Sequence, residues 1–217
     1  MSIFTIRWAG PVMSLAGPRI DAYASSQPIP SPSMVAGLIG AALGIRRGDA
    51  TLTAIRRSIR YAVVVHRAGV ESIDYQTADL TTSHMAGPMW WRDGSGRVGT
   101  MERMGGGSDT AEQWRPLRHD ADMTLVVEIL EGSPYSAAQI LAALDEPAFP
   151  LYLGRSHCTP GCRMAGEVLD AEDLAEASAM VGDGTLHLPQ EVAGSVLGDL
   201  VTEVISRDGE IARYVVR

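Results

Sequence analysis

Ile29-Pro30-Ser31-Pro32-Ser33-Met34-Val35-Ala36-Gly37-Leu38-Ile39-Gly40-Ala41-Ala42-Leu43-Gly44 is the stretch on which the reading of the fold turns. Pro28, Pro30 and Pro32 keep the approach extended, because the ring restricts both its own residue and the one before it. Ser33 is placed to cap a helix. The apolar residues Met34, Val35, Leu38, Ile39, Ala42 and Leu43 then recur at three and four, the spacing of one helical face, and Gly44 is placed to end it. Gly37 and Gly40 each cost a helix interior roughly 0.8–1 kcal/mol against alanine. Close approach of another backbone, of RNA, or tight helix–sheet packing at Gly40 is the expected compensation.

Working outward, Ile3 to Trp8 reads as a strand ended by Gly10-Pro11. Asp49 caps a shorter helix through Arg57, and Ile59 to Val65 is a β-branched run of strand length. Thr124 to Leu130 is the next strand. A capping box, Ser136 with Gln139, opens a helix carrying Ile140, Leu141 and Leu144 that stops near Pro147, and Leu151 to Leu153 follows as a short final strand. The order strand, helix, strand, insertion, strand, helix, strand implies an α+β fold: a ferredoxin-like (RRM-type) sandwich with helices on one face of an antiparallel sheet. The body is expected over 1–164, with an insertion at about 76–118. Residues 165–217 form an acidic appendage with a helix over Glu172 to Met180. A hairpin, Val201 to Ile205 and Ile211 to Val216, turns there around Asp208-Gly209.

With 217 residues and 46% hydrophobic content, the chain buries one good core and a small addition. It has no run of eighteen apolar residues, and Met1 to Arg7 lacks the basic-then-apolar order of a signal peptide. The expectation is a soluble, cytoplasmic protein with no membrane partner. Cys158 and Cys162, four residues apart, fit a reducing compartment. A formal charge of -8 at first opposes a nucleic-acid partner, since phosphate binding is driven by basic side chains. The charge is uneven, however. Residues 1–164 carry 15 Arg against 15 Asp plus Glu, whereas residues 165–217 carry 3 against 11. All 18 basic residues are arginine, which suits planar, two-pronged phosphate contacts and stacking on bases; GC-rich codon usage explains it equally well.

Between Gln76 and Arg118 lie seven glycines, in a stretch too long for a passive loop. It carries Trp90, Trp91 and Trp114 with Arg92, Arg97, Arg103, Arg115 and Arg118, the mix that stacks on single-stranded bases and holds phosphates. The plainer alternative is that one or two of these tryptophans anchor the loop to the core. A second candidate is the glycine-bounded, donor-rich loop Gly154-Arg155-Ser156-His157-Cys158-Thr159-Pro160-Gly161-Cys162-Arg163. A third is the helix start at Ser31-Pro32-Ser33, whose free N–H groups suit a phosphate. His157, Cys158 and Cys162 fall short of the four ligands that zinc usually takes, so no metal or cofactor is expected. Walker A, GxGxxG, HExxH and GxSxG motifs are lacking. A metal-independent ribonuclease stays open, with His66 or His157 as general base near a tyrosine hydroxyl and arginine in place of the missing lysine.

Four segments in order resemble one family. They are Ile6-Arg7-Trp8-Ala9-Gly10-Pro11-Val12-Met13-Ser14, the run from Ile29 to Gly44 with Ile45-Arg46-Arg47-Gly48-Asp49, then Asp74-Tyr75-Gln76-Thr77, and Pro150-Leu151-Tyr152-Leu153-Gly154-Arg155-Ser156-His157-Cys158. Together they are similar to the CRISPR-associated CasD family of type I-E systems, over residues 3 to about 165. The resemblance implies an RRM-like body with an inserted β-hairpin thumb and a small C-terminal β-rich appendage. It also implies a place at the foot of the Cascade complex. There such proteins grip the 5′ handle of the guide RNA (crRNA) and touch the large subunit (CasA) and the first backbone subunit (CasC), reaching target DNA only through the complex. Guide cleavage in type I-E belongs to CasE, and the Tyr, Lys and His set of the type I-C relative is beyond a lysine-free chain. The resemblance therefore implies binding without catalysis.

Carried over by position, the handle-binding candidates are Ser31, Ser33, Arg46, Arg47, Tyr75, Arg155 and Ser156. His157 joins them from the same loop, and Trp90, Trp91, Arg92, Arg97 and Arg103 from the insertion. The sequence departs from the family at Val12-Met13-Ser14-Leu15, which lacks the Gln or Trp often found after Gly-Pro, and at 28–33, which lacks an arginine beside Pro-Ser. A protein–protein adaptor working through the acidic tail is the remaining alternative.

Overall fold

The computed structural model describes residues 2–20, 23–79, 110–194, 200–205 and 210–216. In chain order its elements are β1 (Ser2–Ala9), β2 (Val12–Met13), β3 (Ala16–Ile20), β4 (Tyr23–Ser26), α1 (Pro32–Ala42), α2 (Ala50–Arg57), β5 (Ile59–Arg67), β6 (Val70–Asp79) and β7 (Thr110–His119). They continue with β8 (Asp122–Ile129), α3 (Ala137–Asp145), β9 (Ala165–Leu169), α4 (Leu174–Ala179), β10 (Thr185–Pro189), α5 (Gln190–Ala193), β11 (Leu200–Ile205) and β12 (Ile211–Val216).

The alternation along β1 shows how the main sheet is covered. Phe4, Ile6 and Trp8 enter the large core with Val35, Leu38 and Ile39 of α1 and Ile140 and Leu144 of α3. Ile3 points the other way, into a smaller cluster with Ala62, Val126 and Leu174 and Ala177 of α4. Helices therefore cover both faces, where the sequence suggested one. This explains why Tyr61 to Val65 and Met123 to Glu128 are buried without a break: central strands sheltered on both sides have no solvent face to alternate with.

The main sheet has seven strands in the order β11-β12-β10-β5-β8-β1-β9, and every pairing in it is antiparallel. Residues 165–217, expected as an appendage, thus supply both edges of this sheet: β9 beside β1, and β10, β12 and β11 beyond β5. A second sheet has the order β2-β7-β4-β3, with β6 paired to β7 along its length from Val70↔His119 to Asp79↔Thr110. This β6–β7 hairpin is the base of the insertion.

Local signals behave as their chemistry predicts at most helix ends. Asp49 accepts from the Thr51 N–H, Ser136 and Gln139 form a reciprocal capping box, and Asp173 accepts from Glu176 N–H. Two expectations need correction. The cap of α1 is Ser31, not Ser33, because Pro32 takes the first helical position, where a missing N–H costs nothing. Leu151 to Leu153 is not a strand. Bracketed by Pro150 and by Gly154 at φ 98°, it is a loop tied by Ser14 N–H to the Leu153 carbonyl at 2.9 Å, and the last strand of the body is β9. No helix among the described residues is long and apolar enough to cross a membrane.

Candidate nucleic-acid interface

Side chains directly opposite one another in an antiparallel pair share a face, so the register of β6 with β7 sorts the hairpin into two faces. Tyr75 lies opposite Trp114 and Ile73 opposite Pro116, while Asp74 lies opposite Arg115 on the other side. On the first face, Tyr23 of β4 stacks on Trp114 with centroids 4.6 Å apart and planes 12° apart, and Tyr75 tilts against the same ring at 5.0 Å. Tyr23 and Tyr75 are 59% and 52% exposed, so the stack is presented to solvent rather than packed away. Tyr75 also donates to Glu112 Oε1 at 2.9 Å; that bond holds its hydroxyl above the usual tyrosine range, and it stays protonated. Beside the stack Ile73 is 67% exposed.

The second face carries the loop. Arg155 pairs with Asp74 of β6 at 3.5 Å, and its guanidinium is largely covered. The Cys158 N–H closes the loop onto the Arg155 carbonyl at 2.9 Å, and the Leu153 N–H bonds the Cys158 carbonyl at 2.7 Å. Burial pushes the Cys158 thiol up, and its side chain sits in the core. Ser156 and His157 are left exposed at the tip. A β-carbon at Gly154 would lie 2.1 Å from the Ser14 carbonyl oxygen and 3.2 Å from Met34 Cε, so the loop is wedged between β2 and the first turn of α1.

The structure therefore brings Ser31, Ser33, Arg155, Ser156 and His157 into one neighbourhood. Within it, Ser31 is buried and its Oγ lies 3.1 Å from Ser33 Oγ. Tyr75 stands on the opposite face of the same hairpin. Arg46 and Arg47 are exposed beyond the far end of α1; eleven residues at about 1.5 Å each put them roughly 16 Å from the helix start. Trp90, Trp91, Arg92, Arg97 and Arg103 lie outside the described residues. Trp114 of the same segment is described and belongs to the aromatic stack. Arg115 bonds Gln113 of its own strand, whereas Arg118 bonds Glu71 and the Ala68 carbonyl and so ties the two strands of the hairpin base together. Tyr23 was missed in the sequence because Tyr23-Ala24-Ser25-Ser26 is too short and polar to announce a strand, and its pairing to Trp114 spans 91 positions.

The two histidines considered as general bases stand in different settings. His66 of β5 has Nδ1 2.8 Å from the Asp183 carbonyl oxygen and Nε2 2.8 Å from Thr124 Oγ1, with Arg7 Nη1 donating to the same hydroxyl at 3.2 Å. Among the described residues no tyrosine is one of its partners. His157 is exposed in the loop tip.

An α+β protein with a large antiparallel sheet, a second sheet in which β4 pairs β7 in parallel, and a long inserted hairpin is what these elements define, and the family comparison agrees with it. A model of the CRISPR-associated protein family Cas5 matches residues 3–210, and the chain belongs to that family. One relative is the CRISPR system Cascade subunit CasD of Escherichia coli (strain K12), 27% identical over 160 residues. That match covers 72% of this chain and 66% of the relative, just under two thirds of its length. Among solved structures, a chain of a CRISPR RNA-guided surveillance complex superposes with TM-score 0.67 at 22% identity, covering 99% of this chain and 88% of that one. A crystal structure of a Cas protein gives 0.59 at 23% identity, covering 99% and 92%. At these identities the likeness is one of fold.

Proposed function

We propose that this protein is a non-catalytic guide-RNA-binding subunit of a type I-E Cascade complex, holding the 5′ handle of the crRNA and contacting the large and backbone subunits. The observation that carries the reading is the half-exposed stack of Tyr23, Trp114 and Tyr75 at the base of the inserted hairpin. Aromatic faces presented in a row accept unstacked bases irrespective of sequence, each worth about 1–3 kcal/mol. The wedged loop with Ser156 and His157, beside the start of α1, supplies hydrogen-bond donors near the same hairpin. Family membership supplies the context, and the strand order β9-β1-β8-β5 with α1 and α3 between them is read as the ferredoxin-like body that such RNA binders use.

Binding without chemistry is part of the proposal. It is supported by the engagement of both His66 ring nitrogens and by the absence of lysine from the sequence. The test is reconstitution of the complex with Tyr23→Ala/Tyr75→Ala protein. Guide RNA of uniform 5′ end should be retained at least tenfold less well than with the parent chain, and unprocessed repeat RNA in EDTA should stay intact with both. Undiminished retention would remove the aromatic stack from the reading. Specific cleavage lost in His157→Ala would replace the binding role with a ribonuclease.

A further inference from the structure

The main sheet has a notch. β10 bridges β5 and β12 for only a few residues: Thr185 to His187 face Val65 to Val63, and His187 to Pro189 face Val216 to Tyr214. At Pro189 the chain turns into α5, so among the described residues no strand lies between the first residues of β5 (59–61) and of β12 (211–213). Among the described residues their strand pairing is on their other sides, with β8 and β11. Edges separated by one missing strand stand about two strand spacings apart, roughly 9–10 Å, the width of one extended chain. A cleft of about 590 Å³ lies at this place, bordered by both strand ends and by the end of α2.

Its lining carries four arginines, two of them already committed: Arg56 pairs with Glu210 at 2.8 Å and Arg60 with the buried Glu128 at 2.6 Å. Arg56 and Arg57 come from α2, Arg60 from β5 and Arg213 from β12, against the carboxylates of Glu191 and Glu210. Arg57 is exposed and has no ion pair among the described residues. Arg213 pairs with Glu203 at 2.9 Å with both side chains about half exposed, a pairing weak enough to exchange. The alternation of the strands divides the notch. Arg60 and Arg213 project to one face, whereas Ile59, Tyr61 and Tyr214 belong to the opposite, core-side face.

We propose that this notch takes an extended segment of a partner polypeptide, with acidic and apolar residues in alternation, as an added strand continuing the line of β10. The strand edges supply the backbone pairing, and Arg57 and Arg213 select the acidic side chains, a division between affinity and specificity typical of strand addition. An RNA backbone would use the arginines and leave the strand edges idle, which is why a peptide is the better occupant. The proposal goes beyond the RNA-binding reading and stands independently of it.

The probe is a capped hexapeptide alternating valine and glutamate, added to the full chain and followed by fluorescence anisotropy and by amide hydrogen exchange. Binding should slow exchange within 59–61 and 211–213. A valine–glutamine analogue and tetrauridylate, with its three phosphodiesters, should each bind at least tenfold more weakly, and Arg57→Ala/Arg213→Ala should lose about tenfold. If that variant fails to fold, raising salt from 50 to 500 mM should weaken wild-type binding by a similar factor. Absence of protection at these strand ends, glutamine-peptide binding of equal strength, tetrauridylate binding equal or tighter, or insensitivity to the arginines and to salt would each overturn it. Tyr75→Ala should leave peptide binding unchanged, which separates this outcome from the fate of the RNA reading.

Discussion

Gly154 sits at φ 98°, a conformation that L side chains rarely adopt, with its missing β-carbon aimed at the Ser14 carbonyl oxygen. Both the backbone strain and the overlap act against any larger residue, and each is worth of order 1–3 kcal/mol. Gly154→Ala is therefore expected to destabilise the protein by about 2–4 kcal/mol in urea denaturation; a loss under about 1 kcal/mol would show that the loop is not wedged as described. The sequence marked this loop through its two glycines and dense donors. It did not show that Arg155 is spent on Asp74, because that pairing depends on where β6 lies. The exposed positions of the loop are Ser156 and His157, and these rather than Arg155 are the residues left to meet a ligand.

At the scale of elements, the two glycines inside α1 part company. A β-carbon at Gly37 would meet nothing within 4 Å, whereas one at Gly40 would lie 2.2 Å from Leu52 Cδ2 of α2. Gly37→Ala should raise stability by about 0.5–1 kcal/mol through backbone entropy. Gly40→Ala, which forces the tip of Leu52 aside, should lower it by about 1–3 kcal/mol. Thermal melts of the two variants shifting in the same direction would contradict this packing. The periodicity of α1, the capping box of α3 and the strand character of β5 and β8 were legible because each is decided by neighbouring residues. That Gly40 serves helix–helix rather than helix–sheet contact was not, since the sequence does not say which surface α2 folds onto. For the same reason β9 was misplaced: Leu151 to Leu153 has strand-like side chains, but the partner available to β1 is Ala165–Leu169.

For the whole molecule, the join between the two sheets matters most. Gln27, buried where β4 leads toward α1, donates from Nε2 to the Ile205 carbonyl and accepts from the Ile205 N–H through Oε1, both at 2.8 Å and across 178 positions. One side chain thus acts as a backbone surrogate, tying β11 to the segment that leaves the second sheet. Gln27→Ala strands both Ile205 groups and should cost about 1–3 kcal/mol. Amide exchange should speed up in β11 and β12 ahead of β1, β5 and β8; uniform acceleration across the main sheet would mean that the tether does not act locally.

The charge pattern that made a nucleic-acid partner look improbable is resolved at this scale as well. The acidic last quarter of the chain builds the outer strands of the main sheet, while the aromatic stack and the loop lie on the second sheet and its hairpin. By itself the sequence determined the longer helices with the caps of α2 and α3, the central strands, the insertion and the family, because propensity, periodicity and ordered motifs are local or cumulative along the chain. Only the tertiary structure decided that helices cover both faces, that Tyr23 joins Trp114 and Tyr75, that Arg155 is held by Asp74, and that β10 bridges β5 and β12 over only part of their length. Each of these depends on which distant segments become neighbours, and that is settled by the packing of the whole core.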